Sequence, residues 1–126
     1  MRTRAKICGI TRPQDIQSVV NSGADAIGLV FFEPSPRYVN LEQATQLAKL
    51  IPPYVNIVGL FVNATAQEIK QVLEHVPLDI LQFHGDESPE QCQQIANYNK
   101  RRWYKAIQVK PDATSAEIIA TIQQYQ

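Results

Sequence analysis

A chain of 126 residues has room for one domain with a real hydrophobic core, but not for two. Hydrophobic residues at 44% and charged residues at 19% exclude a disordered polymer. Twelve Lys plus Arg balance twelve Asp plus Glu, which removes any general electrostatic reason to bind nucleic acid or an anionic membrane and leaves small-molecule chemistry as the expectation.

The basic start Met1-Arg2-Thr3-Arg4 leads only into the run 5–10, which Lys6 interrupts; this is too short and too polar for a signal peptide. No stretch approaches membrane-spanning length. Cys8 and Cys92 are far apart in sequence and form no C-x-x-C pair, so reduced thiols in a cytoplasmic protein are expected.

Taken in order, short β-rich runs alternate with helical periods five times. The first strand is expected at 5–8, with Gly9-Ile10-Thr11 as a turn. Pro13 suits the first turn of a helix whose stripe is Ile16, Val19 and Val20, and Gly23 suits its C-terminal cap. The run 26–31 is nearly all apolar, as a strand covered on both faces requires. A loop at 32–40 carries Pro34, Pro36 and Arg37. Leu41, Ala44, Leu47, Ala48 and Ile51 follow at helical spacing until Pro52-Pro53 stops them.

The third strand is expected at 56–62, and Thr65 with Glu68 forms a capping box for a helix that buries Ile69, Val72, Leu73 and Val76. The fourth, 79–83, ends in His84-Gly85. Ser88-Pro89-Glu90-Gln91 is a second capping box with proline at the first helical position. A fifth strand at 103–109 precedes a helix opened by Thr114 and Glu117, with Ile118, Ile119, Ile122 and Tyr125 on one side.

Five strand–helix repeats mean an α/β parallel sheet built from right-handed crossovers, and no linker divides the chain. Periodicity fits either a complete flavodoxin-like open sheet or the leading part of an eight-unit barrel. The strand ends separate them. A receiver domain needs clustered acids after its first strand and an acceptor aspartate after its third; here those strands end in Cys8-Gly9 and Val62-Asn63. Lys110-Pro111 resembles a receiver's lysine–proline pair but stands alone, and no flavin phosphate loop is present.

Five segments occur in order at or near the strands, mostly towards their C-terminal ends: Lys6-Ile7-Cys8-Gly9-Ile10-Thr11, Gly23-Ala24-Asp25-Ala26-Ile27-Gly28, Ser35-Pro36-Arg37-Tyr38-Val39, Gly59-Leu60-Phe61-Val62-Asn63 and Gln82-Phe83-His84-Gly85. This series resembles phosphoribosylanthranilate isomerase over essentially the whole chain. The resemblance implies a TIM (βα)8 barrel, with residues 1–126 a single partial domain of about five of the eight units. It also implies an Amadori rearrangement in tryptophan biosynthesis, by general acid and base catalysis with no cofactor and no metal. N-(5'-phosphoribosyl)anthranilate would become 1-(o-carboxyphenylamino)-1-deoxyribulose 5-phosphate. The neighbouring indole-glycerol-phosphate synthase family lacks the Lys6–Thr11 strand pattern.

By that resemblance Cys8 is the base; the plain alternative is a small buried residue at a strand end. A thiolate suffices because the departing sugar proton lies beside an iminium carbon. Lys6, two residues earlier on the same side of the strand, is expected to support the thiolate. Arg37 is assigned to the anthranilate carboxylate, which its planar fork suits; the alternative is a solvated loop arginine. His84 and Gln82 share a face and are expected to line the substrate site, where water or substrate satisfies them. Asn63 reads equally as a substrate contact or a helix cap, and Cys92 as a packed helix residue.

The general acid of the resembled family is an aspartate ending strand six, and none in 1–126 takes that position; Asp112, in the loop after strand five, is not promoted to it. The phosphate site of such barrels follows strands seven and eight. The chain alone is therefore expected to be inactive, and a non-catalytic barrel fragment acting as a folding or assembly module is the alternative function. Open sheet edges lead to three expectations: self-association, rearrangement to an open sheet, or pairing with the missing C-terminal part.

Overall fold

The computed structural model describes residues 1–126. Strands β1 (Lys6–Cys8), β2 (Ala26–Val30), β3 (Asn56–Phe61), β4 (Ile80–Phe83) and β5 (Arg102–Lys105) alternate with helices α1 (Pro13–Asn21), α2 (Leu41–Ala48), α3 (Ala66–Leu73), α4 (Pro89–Asn99) and α5 (Ser115–Gln124). Every neighbouring pair of strands is parallel, and the sheet order is β1-β2-β3-β4-β5. A flavodoxin-like sheet reverses direction at its first strand. Sequential order with one crossover hand instead puts the helices on a single face, which is barrel winding.

The sheet also curls. Lys6 Nζ on β1 donates to Gln82 Oε1 on β4 at 2.8 Å, although two strands separate them. In a flat sheet those strands would stand about 14 Å apart, beyond the reach of that pair of side chains. Residues of alternate parity therefore face two different environments. Ile27, Leu29, Ile57, Phe61, Leu81 and Phe83 point outward into one apolar core with Ile16, Ala44, Leu47, Ile69 and Cys92 from the helices. Val30, Val58 and Leu60 are buried on the opposite, concave face, outside that core.

Local chemistry sets the boundaries. Thr65, Ser88 and Thr114 cap their helices with reciprocal bonds to Glu68, Gln91 and Glu117, as their spacing predicts. Asn40 and Gln43 form a fourth capping box that the pattern reading overlooked. Gly23 follows α1 in the left-handed region, at φ +79°.

Four strands are shorter than expected: β1 begins at Lys6, β2 ends at Val30, β3 ends at Phe61 and β4 begins at Ile80. β5 runs 102–105 rather than 103–109, because β4 turns away after Phe83 and the last bond it offers accepts the Ala106 N–H. No α5 residue is fully buried, and Ile119 and Ile122 are exposed. No helix is long and apolar enough to cross a membrane.

Candidate functional site

The carboxyl end of β1 places Cys8 beside Gly28, its register partner on β2. The chain then turns tightly: the N–H groups of Gly9 and Ile10 both donate to Gly28 O, at 2.9 and 3.3 Å. Gly9 sits at φ +84°, a left-handed conformation that a side chain disfavours. The loop after β2 folds back onto the same corner. Val39 N–H donates to Val30 O and Tyr38 N–H to Ser35 O, so Arg37 rides on the crest of a turn. Its Nη1 donates to the Cys8 carbonyl at 3.2 Å. The guanidinium passes so close over Gly9 that a Cβ there would lie 2.5 Å from Nη1. Glycine at 9 thus serves both the turn and the arginine.

Across the mouth, His84 follows β4 and faces the same hollow of about 320 Å³ as Arg37, with Val30, Phe32, Ser35, Leu60 and Val62 completing the lining. What fixes this side is a carboxylate. Glu87, with its side chain 4% exposed, accepts the N–H of Asn63 at 2.8 Å, the N–H of Gly85 at 2.9 Å and the Lys105 ammonium at 2.8 Å. Burial opposes its ionisation, but these donors outweigh burial and hold its pKa below the usual carboxylate value. One side chain thereby ties together the ends of β3, β4 and β5. Asn63, in the left-handed region at φ +53°, caps no helix; its Oδ1 accepts from Asp86 N–H at 2.8 Å and links the two loops.

The remaining expected residues lie deeper. Gln82 shares the concave face with His84, and its Oε1 accepts from both Lys6 Nζ and Tyr104 Oη at 2.8 Å. Its carbonyl is satisfied by protein groups. Lys6 lines a second hollow of about 680 Å³ at the amino end of the strands, with Arg4, Tyr54 and Tyr104. That hollow is larger, but it is the open lower mouth of the curled sheet, and none of Cys8, Arg37 or His84 reaches it. Cys92 is packed in α4, and burial pushes its thiol up to about 11, which leaves it protonated and inert near neutral pH. No three His, Cys, Asp or Glu side chains gather to hold a metal ion.

Cys8, Arg37 and His84 therefore lie at one end of the sheet, with Arg37 and His84 lining one hollow, Arg37 bonded to the Cys8 carbonyl, and Gln82 and Lys6 below them. Glu87, Lys105 and Tyr104 are the site's unforeseen members. An acid before a helix reads as a solvated residue favoured by the helix dipole, and nothing local announces a lysine partner 18 positions later.

A one-sided parallel sheet in sequential order, with its polar groups clustered at the strands' carboxyl ends, defines the βα-barrel class. The family model of N-(5'-phosphoribosyl)anthranilate (PRA) isomerase matches residues 5–125. The isomerase of Acinetobacter calcoaceticus is 65% identical over 126 residues, all of this chain and 58% of that relative. That of Ralstonia nicotianae is 52% identical over 116 residues, 92% of this chain and 50% of the relative. The crystal structure of phosphoribosyl anthranilate isomerase from Thermotoga maritima superposes with a TM-score of 0.87 at 37% identity, covering 97% of this chain and 57% of that one. A second crystal structure of a phosphoribosyl anthranilate isomerase, in complex with reduced 1-(o-carboxyphenylamino)-1-deoxyribulose 5-phosphate, gives the same score and identity over 97% and 60%. The chain belongs to the phosphoribosylanthranilate isomerase family. It spans about half the length of the curated relatives it matches.

Proposed function

We propose that this chain carries the base and the carboxylate clamp of a phosphoribosylanthranilate isomerase acting in tryptophan biosynthesis. The observation that supports this best is the corner where Arg37 Nη1 bonds the Cys8 carbonyl across Gly9, which sets a thiol and a carboxylate-binding fork at one mouth. In the open-chain iminium form of N-(5'-phosphoribosyl)anthranilate, the Cys8 thiolate removes the proton from sugar C2. The electron pair moves towards the iminium nitrogen, and the resulting enol tautomerises to the 1-deoxyribulose ketone. Arg37 holds the anthranilate carboxylate by paired N–H bonds, and His84 lines the hollow across from it. Lys6 lends positive charge to the same face of β1, where its ammonium is held by Gln82.

Opening the ribose ring also requires a general acid. The carboxylates nearest this mouth are engaged, Glu87 with Lys105 and Asp86 with Asn63, so neither is assigned that step. Residues 1–126 are read as one domain, the leading five units of an eight-unit barrel. The edges of β1 and β5 are then the surfaces for further strands or for a second copy. Two unpaired thiols suit the reducing cytoplasm.

Calorimetric titration with the carboxyphenylamino-deoxyribulose phosphate tests the clamp apart from turnover. Arg37→Ala should weaken binding tenfold or more, whereas Cys8→Ser should leave it within about threefold while abolishing isomerisation by the chain joined to the remaining barrel units. Undiminished isomerisation by Cys8→Ser would remove the base from this reading.

A further inference from the structure

We propose that Gly28 is a positioning residue for the Cys8 thiol: its missing side chain is the space in which the sulfur lies. Three observations converge on this. Cys8 and Gly28 are register partners on adjacent parallel strands, so both face the concave side at the same height. A Cβ built on Gly28 would stand 2.7 Å from Cys8 Sγ and 3.2 Å from both Cys8 Cα and Cβ. Ordinary non-bonded contacts between heavy atoms lie near 3.5–4.0 Å. Gly28 also stands in ordinary strand conformation, unlike Gly9 and Gly23 with their positive φ, so backbone freedom does not account for glycine here. Glycine weakens a strand interior and commonly marks a close approach by another group.

The consequence reaches past one contact. The Gly28 carbonyl receives the N–H groups of Gly9 and Ile10, in the turn over which the Arg37 guanidinium passes. One residue of β2 thus seats the thiol through what its α-carbon lacks and seats the turn through its backbone oxygen. Ala at 28 keeps the second function and removes the first.

This rests on the reading of Cys8 as base only for its effect on turnover; the thiol geometry stands apart from it. The test is alkylation of Cys8 by iodoacetamide in the intact chain, followed by mass spectrometry, where buried Cys92 does not compete. Gly28→Ala should change the alkylation rate constant by threefold or more. It should also lower the urea midpoint, by a smaller amount in a Cys8→Ala background, where no sulfur remains to collide. Gly59→Ala is the control: its Cβ would meet Leu78 Cδ1 at 2.5 Å on the helix side, costing stability without touching the thiol rate. In turnover by the chain joined to the remaining barrel units, Gly28→Ala should lower kcat tenfold or more with KM changed only a few-fold. A rate change below threefold, or a midpoint loss undiminished in the Cys8→Ala background, overturns the proposal. If Gly28→Ala alone fails to fold, folding of the double variant supports the proposal and failure of both overturns it. Isomerisation by Cys8→Ala would defeat the base reading and leave the alkylation result intact.

Discussion

The two ends of this sheet are fastened by the same chemistry in different solvents. At the amino end, Asp25 takes the Arg2 guanidinium, with Nη1 at 2.9 Å, and the Ala5 N–H at 2.8 Å. At the carboxyl end, Glu87 takes Lys105 and two backbone N–H groups. Arg2 is 70% exposed and Asp25 22%, whereas Lys105 and Glu87 are 7% and 4% exposed. Water screens the first pair and competes for it. The second has no water to fall back on, so each partner is obligatory for the other. The lesson is that an ion pair governs geometry where it is buried, and here the buried one lies under the mouth that holds His84.

The largest break comes from Lys105→Met. It leaves Glu87 buried without its counter-charge, held only by the Asn63 and Gly85 N–H groups, at a cost on the order of 3–5 kcal/mol, read as a lower urea midpoint at pH 7. The sign with pH follows. Without the ammonium, burial dominates and the folded-state pKa of Glu87 rises above its unfolded value, so the variant should regain stability as pH falls through that raised pKa. The parent behaves oppositely: its Glu87 is held low, so that contribution is complete above the ordinary glutamate value and is lost as the solution is acidified. A variant whose midpoint is insensitive to pH would show that the pair is not isolated from water.

Tyr104→Phe probes the layer between the ends and should do much less. It removes one of two donors to Gln82 Oε1, and Lys6 remains to satisfy the oxygen. A net hydrogen bond contributes about 0.5–1.5 kcal/mol, and Tyr104 is partly exposed, so a loss near the bottom of that range is expected by urea denaturation. A loss as large as that of Lys105→Met would mean that the concave layer, and not the carboxyl-end clasp, carries the sheet's polar stability.

What could be read from residues alone divides along the same line between local and distant causes. Helix starts were legible because a cap is a contact between positions three apart, as at Thr65–Glu68 and Ser88–Gln91. The Asn40–Gln43 box carried the same signal and was passed over. Strand ends were overrun where apolar residues such as Phe31 and Val62 continue past the last residue in register, since pairing depends on the neighbouring strand and not on the run itself. Cys8, Arg37 and His84 could be singled out as candidates because each sits in a motif at or just after a strand end. Gly28, Glu87 and Lys105 could not, since their importance arises only when β2 meets β1 and β4 meets β5. Curvature was illegible for the same reason: alternation cannot distinguish a concave polar layer from a second covered face.

The smallest effect is at the amino end, where it can be measured at a single group. Asp25 is held at about 2, against an ordinary 3.8, by the side-chain bond from Arg2 first and the Ala5 N–H second. A depressed carboxyl stabilises the fold fully above its unfolded value and loses that contribution as pH falls through the folded one, here between about 4 and about 2. Arg2→Ala removes the larger cause and leaves the smaller, so the Asp25 pKa should climb towards 3.8 without reaching it, followed by carboxyl carbon shifts in an NMR titration. The urea midpoint at pH 7 should move far less than with Lys105→Met, because the exposed pair is screened. A pKa that stays near 2 in Arg2→Ala would transfer the hold on Asp25 to the backbone of β1, and the amino end would then be fastened by the same kind of rigid donor that Gly85 and Asn63 provide at the other.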